Sequence, residues 1–265
     1  MISKVLKESI NKLCSIPKIL FINSYRFFIR TRIFYMERIP KDRSAIFAIN
    51  HITGADPIIL LASFRKKIYF LADSRLFGNR FTNFFFRKFT NSIPVFKKEY
   101  VRNVESFKEI IKISHNNASK KKKIFFGIFP EGYLNKKEKL DNFFKGSAYL
   151  GYKTKLPIIP VYIHNIFKGP SEKNWFGRNG VAEGIIALII NKFKKINIFI
   201  GEPIDTTADN IVNEFRDIVN KQNYKNIIEN INKKLTDKFL ELQKEAQNLF
   251  EVKNSADSNI IESMQ

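Results

Sequence analysis

The chain has 265 residues, 44% of them hydrophobic, enough for one large domain with a substantial core. A single cysteine, Cys14, excludes an intrachain disulfide framework and a cysteine-based metal cluster, and His51, His115 and His164 lack the close spacing of a zinc motif. The formal charge of +21 is uneven: residues 1–200 carry 38 Lys and Arg against 13 Asp and Glu, whereas residues 201–265 carry 8 against 12. So basic a body needs an anionic partner. Nucleic acid, an acidic membrane face and a phosphorylated small molecule all qualify, and charge alone does not choose among them.

Residues 1–32 interleave Lys4, Lys7, Lys12, Lys18, Arg26 and Arg30 with apolar residues at roughly helical spacing, among them Ile2, Leu6, Leu13, Ile16 and Leu20. No stretch reaches the about 18 nearly uncharged apolar residues of a typical transmembrane helix, and the apolar run is too broken for a secretory signal. The expectation is a cytoplasmic chain whose residues 1–38 form a membrane-associating amphipathic helical region. Packing of the same helix on the body is the plainer alternative. Ile39-Pro40-Lys41 then punctuates the start of a central domain, residues 39–207.

Within that domain the pattern predicts strands over 44–49, 68–72, 93–96, 124–129, 156–163 and 196–200. Helices are predicted from 58 to 64, over the aromatic, basic stretch 77–89, at 106–113 and at 146–150, with a further apolar element at 185–190. Such alternation supports an α/β layer architecture. Pro157 and Pro160 argue for an irregular or edge-proximal start to their strand. Beyond 208 a helical stripe of Ile211, Phe215, Ile218, Ile228, Ile231, Leu235 and Leu242 predicts a C-terminal helical extension, frayed from 252 onward.

Two predicted strands end in polar residues suited to chemistry. The run Ala45-Ile46-Phe47-Ala48-Ile49 leads into Asn50-His51-Ile52-Thr53-Gly54-Ala55-Asp56, and Ile124 to Phe129 leads into Pro130-Glu131-Gly132. Strand ends are where an open α/β sheet places its site. A neutral imidazole can take a proton from an alcohol near pH 7 if a neighbour fixes its tautomer, and Asp56 can do so for His51 if the loop turns back. The alternative is that His51 and Asp56 cap a helix starting near Pro57. Glu131 can accept hydrogen bonds from a substrate or hold a lysine, or simply mark a turn. Lys97, Lys98 and Lys145 are possible phosphate contacts, or solvated surface.

Together these segments resemble the 1-acyl-sn-glycerol-3-phosphate acyltransferase family of glycerolipid acyltransferases. Four blocks stand in order: Asn50-His51 with Asp56; Ile93-Pro94-Val95-Phe96-Lys97; Phe129-Pro130-Glu131-Gly132-Tyr133-Leu134-Asn135, followed by Phe144-Lys145-Gly146; and Leu156-Pro157-Ile158-Ile159-Pro160-Val161. Two departures bear on the acceptor. Lysine stands at 97 in place of the family's arginine, which loses a bidentate fork, and Tyr133-Leu134-Asn135 replaces Thr-Arg-Ser. Phosphate recognition would then lean on Lys97, Lys98, Lys136 and Lys145.

The resemblance implies an α/β fold with a mixed sheet flanked by helices, an N-terminal amphipathic region and a C-terminal helical extension. It implies transfer of an acyl group from acyl-CoA or acyl carrier protein to a lysophospholipid hydroxyl, without an acyl-enzyme, a metal or a cofactor. His51 would be the base, Asp56 its orienting partner, Glu131 and Gly132 positioners of the acceptor, and Lys97 its phosphate contact. The Phe-rich stretch 77–89 would line an acyl groove, or pack as plain core. The partners implied are an anionic membrane surface, a lysophospholipid acceptor and the thioester donor, at the cytoplasmic face of the cell membrane. Alternatives are a family member acting on glycerol 3-phosphate, another lysophospholipid or a lipid-linked sugar, and a non-catalytic membrane-associated scaffold. A basic nucleic-acid-binding protein explains the charge but not the polar residues at strand ends, and no nucleic acid is expected.

Overall fold

A strand covered on both faces needs an unbroken apolar run, and Ala45–Ile49 (β2) supplies one in which every residue is wholly buried. The computed structural model describes residues 16–96, 100–119, 122–135, 143–167, 180–207 and 221–262. In it β2 is the central strand of a seven-stranded sheet. The others are β1 (Arg30–Phe34), β3 (Ile68–Asp73), β4 (Ile93–Val95), β5 (Phe125–Ile128), β6 (Ile158–His164) and β7 (Lys195–Ile200). Their order is β1-β7-β6-β2-β5-β3-β4. All neighbours run parallel except β6 and β7, so the sheet is mixed.

Side-chain alternation along β2 separates two cores. Ala45, Phe47 and Ile49 pack toward α1 (16–28), α2 (Asp56–Phe64) and α6 (Gly180–Asn191), while Ile46 and Ala48 pack toward α4 (Tyr100–Ala118), α5 (Gly146–Thr154) and α7 (Lys221–Glu262). Phe47 lies between the rings of Phe64 and Phe125, with centroids 5.3 and 5.0 Å away, and burial of one such ring stabilises by about 1.5–3 kcal/mol. Gly127 in β5 makes room for another, because a Cβ there would meet the Phe70 ring at 2.5 Å. Helix α1 is tied down by polar bonds as well as packing. Tyr25 donates to the Leu188 carbonyl at 3.0 Å, and Arg26 donates to the carbonyls of Ala62 and Leu61, which the end of α2 leaves without helical partners.

Several elements differ from expectation. The helical region expected to run to residue 38 ends at 28, and Arg30–Phe34 joins the sheet beside β7 instead. Its alternating exposure and the stack of Phe34 on Phe199, 4.6 Å between centroids, are strand features that the run of arginines conceals. Strand β6 is interior rather than edge-proximal. Pro160 is accommodated because its side of the β7 ladder has already given way to Gly201, whose N–H bonds the Pro160 carbonyl at 2.8 Å. The 77–89 stretch is not one helix but a 3₁₀ turn (Ser74–Phe77), α3 (Arg80–Phe84) and a π-helical turn (Phe85–Phe89). Helix α4 is longer than predicted, and α7 continues to Glu262 where a frayed tail was expected. The buried residues Ile228, Ile231, Leu235 and Leu242 bear out that part of the predicted stripe, while Ile211, Phe215 and Ile218 lie outside the described residues.

Candidate active site

The site begins where β2 stops. Asn50 turns its buried side chain onto β6, donating to the Ile163 carbonyl at 3.1 Å and accepting from the Ile163 N–H at 2.7 Å. The amide thus imitates one more ladder residue, and the chain leaves the sheet at a fixed point with His51 next. Five residues later Asp56 opens α2, wholly buried, with its Oδ2 drawn back over the loop. That oxygen lies 2.9 Å from His51 Nδ1 and accepts the N–H groups of Ile52 at 2.9 Å and Thr53 at 3.1 Å. Asp56 therefore bonds the loop before the helix rather than capping α2, whose N-cap position, Ala55, has no side-chain cap.

A second loop, after β5, fixes the same histidine from behind. Glu131 Oε1 accepts the His51 N–H at 3.1 Å, and the Asn135 N–H donates to the His51 carbonyl at 2.6 Å. Both backbone groups of His51 are thereby held from one loop, while the Phe129 ring stacks on the imidazole with 3.9 Å between centroids. Glu131 is 1% exposed, and its Oε2 is buried without a hydrogen bond. Burial pushes its carboxyl above the usual carboxylate range; the bonds from His51 N–H and the Asn135 side chain and the charge of His51 oppose this, and nearby Asp56 adds to it. Gly132 sits at φ +70°, the left-handed region, and a Cβ there would meet the Phe144 ring at 2.9 Å.

With Nδ1 turned to Asp56, Nε2 is the ring nitrogen left for an acceptor, and no hydrogen bond to it exists among the described residues. The imidazole is 19% exposed, so it is reachable. Of the sequence-predicted site residues, His51, Asp56, Glu131 and Gly132 come together here. Lys145 instead pairs with Glu229 of α7, both half-exposed, at 2.5 Å. Lys97, Lys98 and Lys136 lie outside the described residues. Of the Phe-rich stretch, Phe85 and Phe89 pack on the core and Phe81 and Phe84 are exposed. Sequence reasoning assigned no role to Asn50, Asn135 or Phe129; their adjacency to His51 and Glu131 was the available signal.

Fold and site define a class: an α/β protein carrying an imidazole oriented by a buried carboxylate at the carboxyl edge of its parallel strands. The family described as Acyltransferase matches residues 30–164, just over half of the chain, and the chain belongs to that family. The matched region holds β1 to β6 and every residue of the site. A 1-acyl-sn-glycerol-3-phosphate acyltransferase of Borreliella burgdorferi is 26% identical over 163 residues, which are 61% of this chain and 60% of that protein. The chain thus spans less than two thirds of that relative's length. A crystal structure of the 1-acyl-sn-glycerophosphate (LPA) acyltransferase, PlsC, from Thermotoga maritima superposes with a TM-score of 0.48 and 21% identity, over 80% of this chain and 76% of that one. Among the described residues no helix is long and apolar enough to cross a membrane.

Proposed function

We propose that the protein transfers a fatty acyl group from acyl-CoA or acyl carrier protein to the sn-2 hydroxyl of 1-acyl-glycerol 3-phosphate, giving phosphatidate. The observation that carries this reading is the His51–Asp56 pair, 2.9 Å apart, with Nε2 left for a hydroxyl. Nε2 takes the hydroxyl proton as the oxygen attacks the thioester carbonyl. The tetrahedral intermediate then collapses, the C–S bond breaks, and the departing thiolate takes the proton from the imidazolium. Asp56 holds the Nδ1–H and steadies the positive ring. Alignment of hydroxyl, base and thioester contributes much of the rate, up to about 7–11 kcal/mol in favourable intramolecular cases.

Glu131 acts in this reading through the His51 backbone, and the tight turn at Gly132 lets the loop pass under Phe144 beside the acceptor. Lys97 and Lys98 follow β4, a strand parallel to β2 that ends at the same edge of the sheet, and are assigned the acceptor phosphate. A bilayer-borne acceptor requires an enzyme that rests on the bilayer. Helix α1 exposes Ile16, Ile19, Leu20 and Phe27 beside basic residues, which suits the anionic cytoplasmic face of the cell membrane. The lysine at 97 and the Tyr133-Leu134-Asn135 segment favour comparing a second acceptor. Thiol release and product mass are measured with both donors against 1-acyl-glycerol 3-phosphate, glycerol 3-phosphate and a lysolipid lacking a phosphomonoester. Phosphatidate from the first alone is the expected result. Equal use of the third removes the phosphate assignment, and no acylated product from any pairing removes the reading.

A further inference from the structure

Helix α6 carries an apolar stripe that faces away from the protein. Ile185, Ile189 and Phe193 recur every four residues along α6 and the turn after it, and are 55, 56 and 79% exposed. The opposite side of the helix is buried at Gly184, Ala187 and Asn191. The stripe is continuous with the outer face of α1. Tyr25 of α1 bonds the Leu188 carbonyl, and Lys192 lies 4.6 Å from the Phe28 ring centroid and 5.9 Å from that of Phe193. Charge along these two segments has one sign. No Asp or Glu occurs between Glu8 and Glu37 or between Glu183 and Glu202, whereas Lys18, Arg26, Arg30, Arg32, Lys192, Lys194 and Lys195 do.

We propose that the outer stripe of α6 is a second bilayer-insertion element, which with α1 seats the protein on an anionic membrane and sets the height of the His51 loop above it. Apolar side chains in segments whose charged residues are all cations match an interface in which lysines meet lipid phosphates and the apolar residues reach the acyl region. The link to the site is direct. Gly184 lies against Gly54 of the His51–Asp56 loop, where even a Cβ would stand 3.4 Å from the Gly54 backbone. Insertion of Ile185 and Ile189 therefore holds the loop, on the far side of α6, at a fixed distance from the membrane that carries a lipid acceptor. That last consequence rests on the acyl-transfer reading; the membrane contact does not.

The full chain is mixed with phosphatidylcholine vesicles with and without phosphatidylglycerol, and bound protein is measured by sedimentation. Ile185→Ser/Ile189→Ser/Phe193→Ser, with an unchanged circular dichroism spectrum, should lower partition onto the anionic vesicles by at least about tenfold, since three apolar side chains are withdrawn. Leu240→Ser, at an exposed position on α7, should leave partition unchanged. Independently, an environment-sensitive dye on Ile189→Cys in a Cys14→Ser background should shift to the blue on vesicle binding. Wild-type partition in the triple-serine protein, or a dye that keeps its aqueous spectrum on vesicles, overturns the proposal. Unchanged partition with a raised KM for acyl carrier protein assigns the stripe to that carrier and likewise overturns it. Neither binding readout needs turnover, so absence of acyl transfer and failure of this proposal are told apart.

Discussion

Substitution of Asp56 separates what its carboxylate does for the loop from what it does for His51. Oδ2 accepts two backbone N–H groups, of Ile52 and Thr53, besides facing His51 Nδ1, in a side chain with no exposure. Asp56→Ala strips both N–H groups of their acceptor, at about 1–3 kcal/mol each, or roughly 2–6 kcal/mol together. Asp56→Asn with its carbonyl oxygen in the same place keeps both bonds but makes them neutral. The loss is then roughly 1–1.5 kcal/mol per bond, offset by no longer burying a charge. The asparagine variant should thus lie between wild type and alanine in denaturant unfolding. Turnover should not follow that order. Neither variant can steady a positive His51 ring, so both should lose about 10³–10⁴ in kcat, the scale seen when an oriented imidazole loses its carboxylate. Asp56→Asn within about threefold of wild-type kcat refutes the catalytic half of the argument. Asp56→Ala as stable as Asp56→Asn refutes the structural half.

Other substitutions test the parts that hold His51. Asn50→Ala leaves the buried N–H and carbonyl of Ile163 unpaired and should cost roughly 2–6 kcal/mol, seen as a lowered melting temperature. Glu131→Gln keeps an acceptor for His51 N–H and should retain turnover, whereas Glu131→Ala should lose about tenfold or more in kcat through a displaced imidazole. The same pair gives a pH test. Because burial raises the folded-state value of Glu131, its stabilising contribution is complete below the unfolded carboxyl value and is lost as pH rises through the folded one. Glu131→Gln lacks that loss, so its stability relative to wild type should climb with pH across that window; a flat difference contradicts the assignment. Gly132→Ala must hold a side chain at φ +70° and displace the exposed Phe144 ring, and should lose about 1–2 kcal/mol on chemical unfolding.

The sequence made the dyad legible because its geometry is local. Four residues between His51 and Asp56 form one tight loop after an apolar strand, and that loop folds back as the spacing allows. Most strands were equally plain, since β2 and β5 are apolar runs and β7 is apolar apart from Lys195 and Asn197. What stayed hidden depends on contacts across the sheet. The clamp on the His51 backbone joins residues 80 or more positions apart, and the Asn50 bond to Ile163 spans 113. Strand β1 was concealed by Arg30 and Arg32, which read as part of a basic amphipathic helix until Ile33 and Phe34 find Ile198 and Phe199. The lysine at 145 read as a phosphate contact from its Phe-Lys-Gly context, and nothing local foretold Glu229 on α7 as its partner.

The most direct test of the central claim compares wild type with His51→Ala on anionic vesicles carrying 1-acyl-glycerol 3-phosphate, with palmitoyl-CoA or palmitoyl-acyl carrier protein as donor. Free thiol and phosphatidate mass are followed together, and vesicle binding and the melting curve are recorded for both proteins. If His51 is the base, the variant binds and melts like wild type while acceptor-dependent transfer falls by about 10²–10⁴, the usual contribution of a positioned base. Phosphatidate formed by His51→Ala at about the wild-type rate contradicts the account.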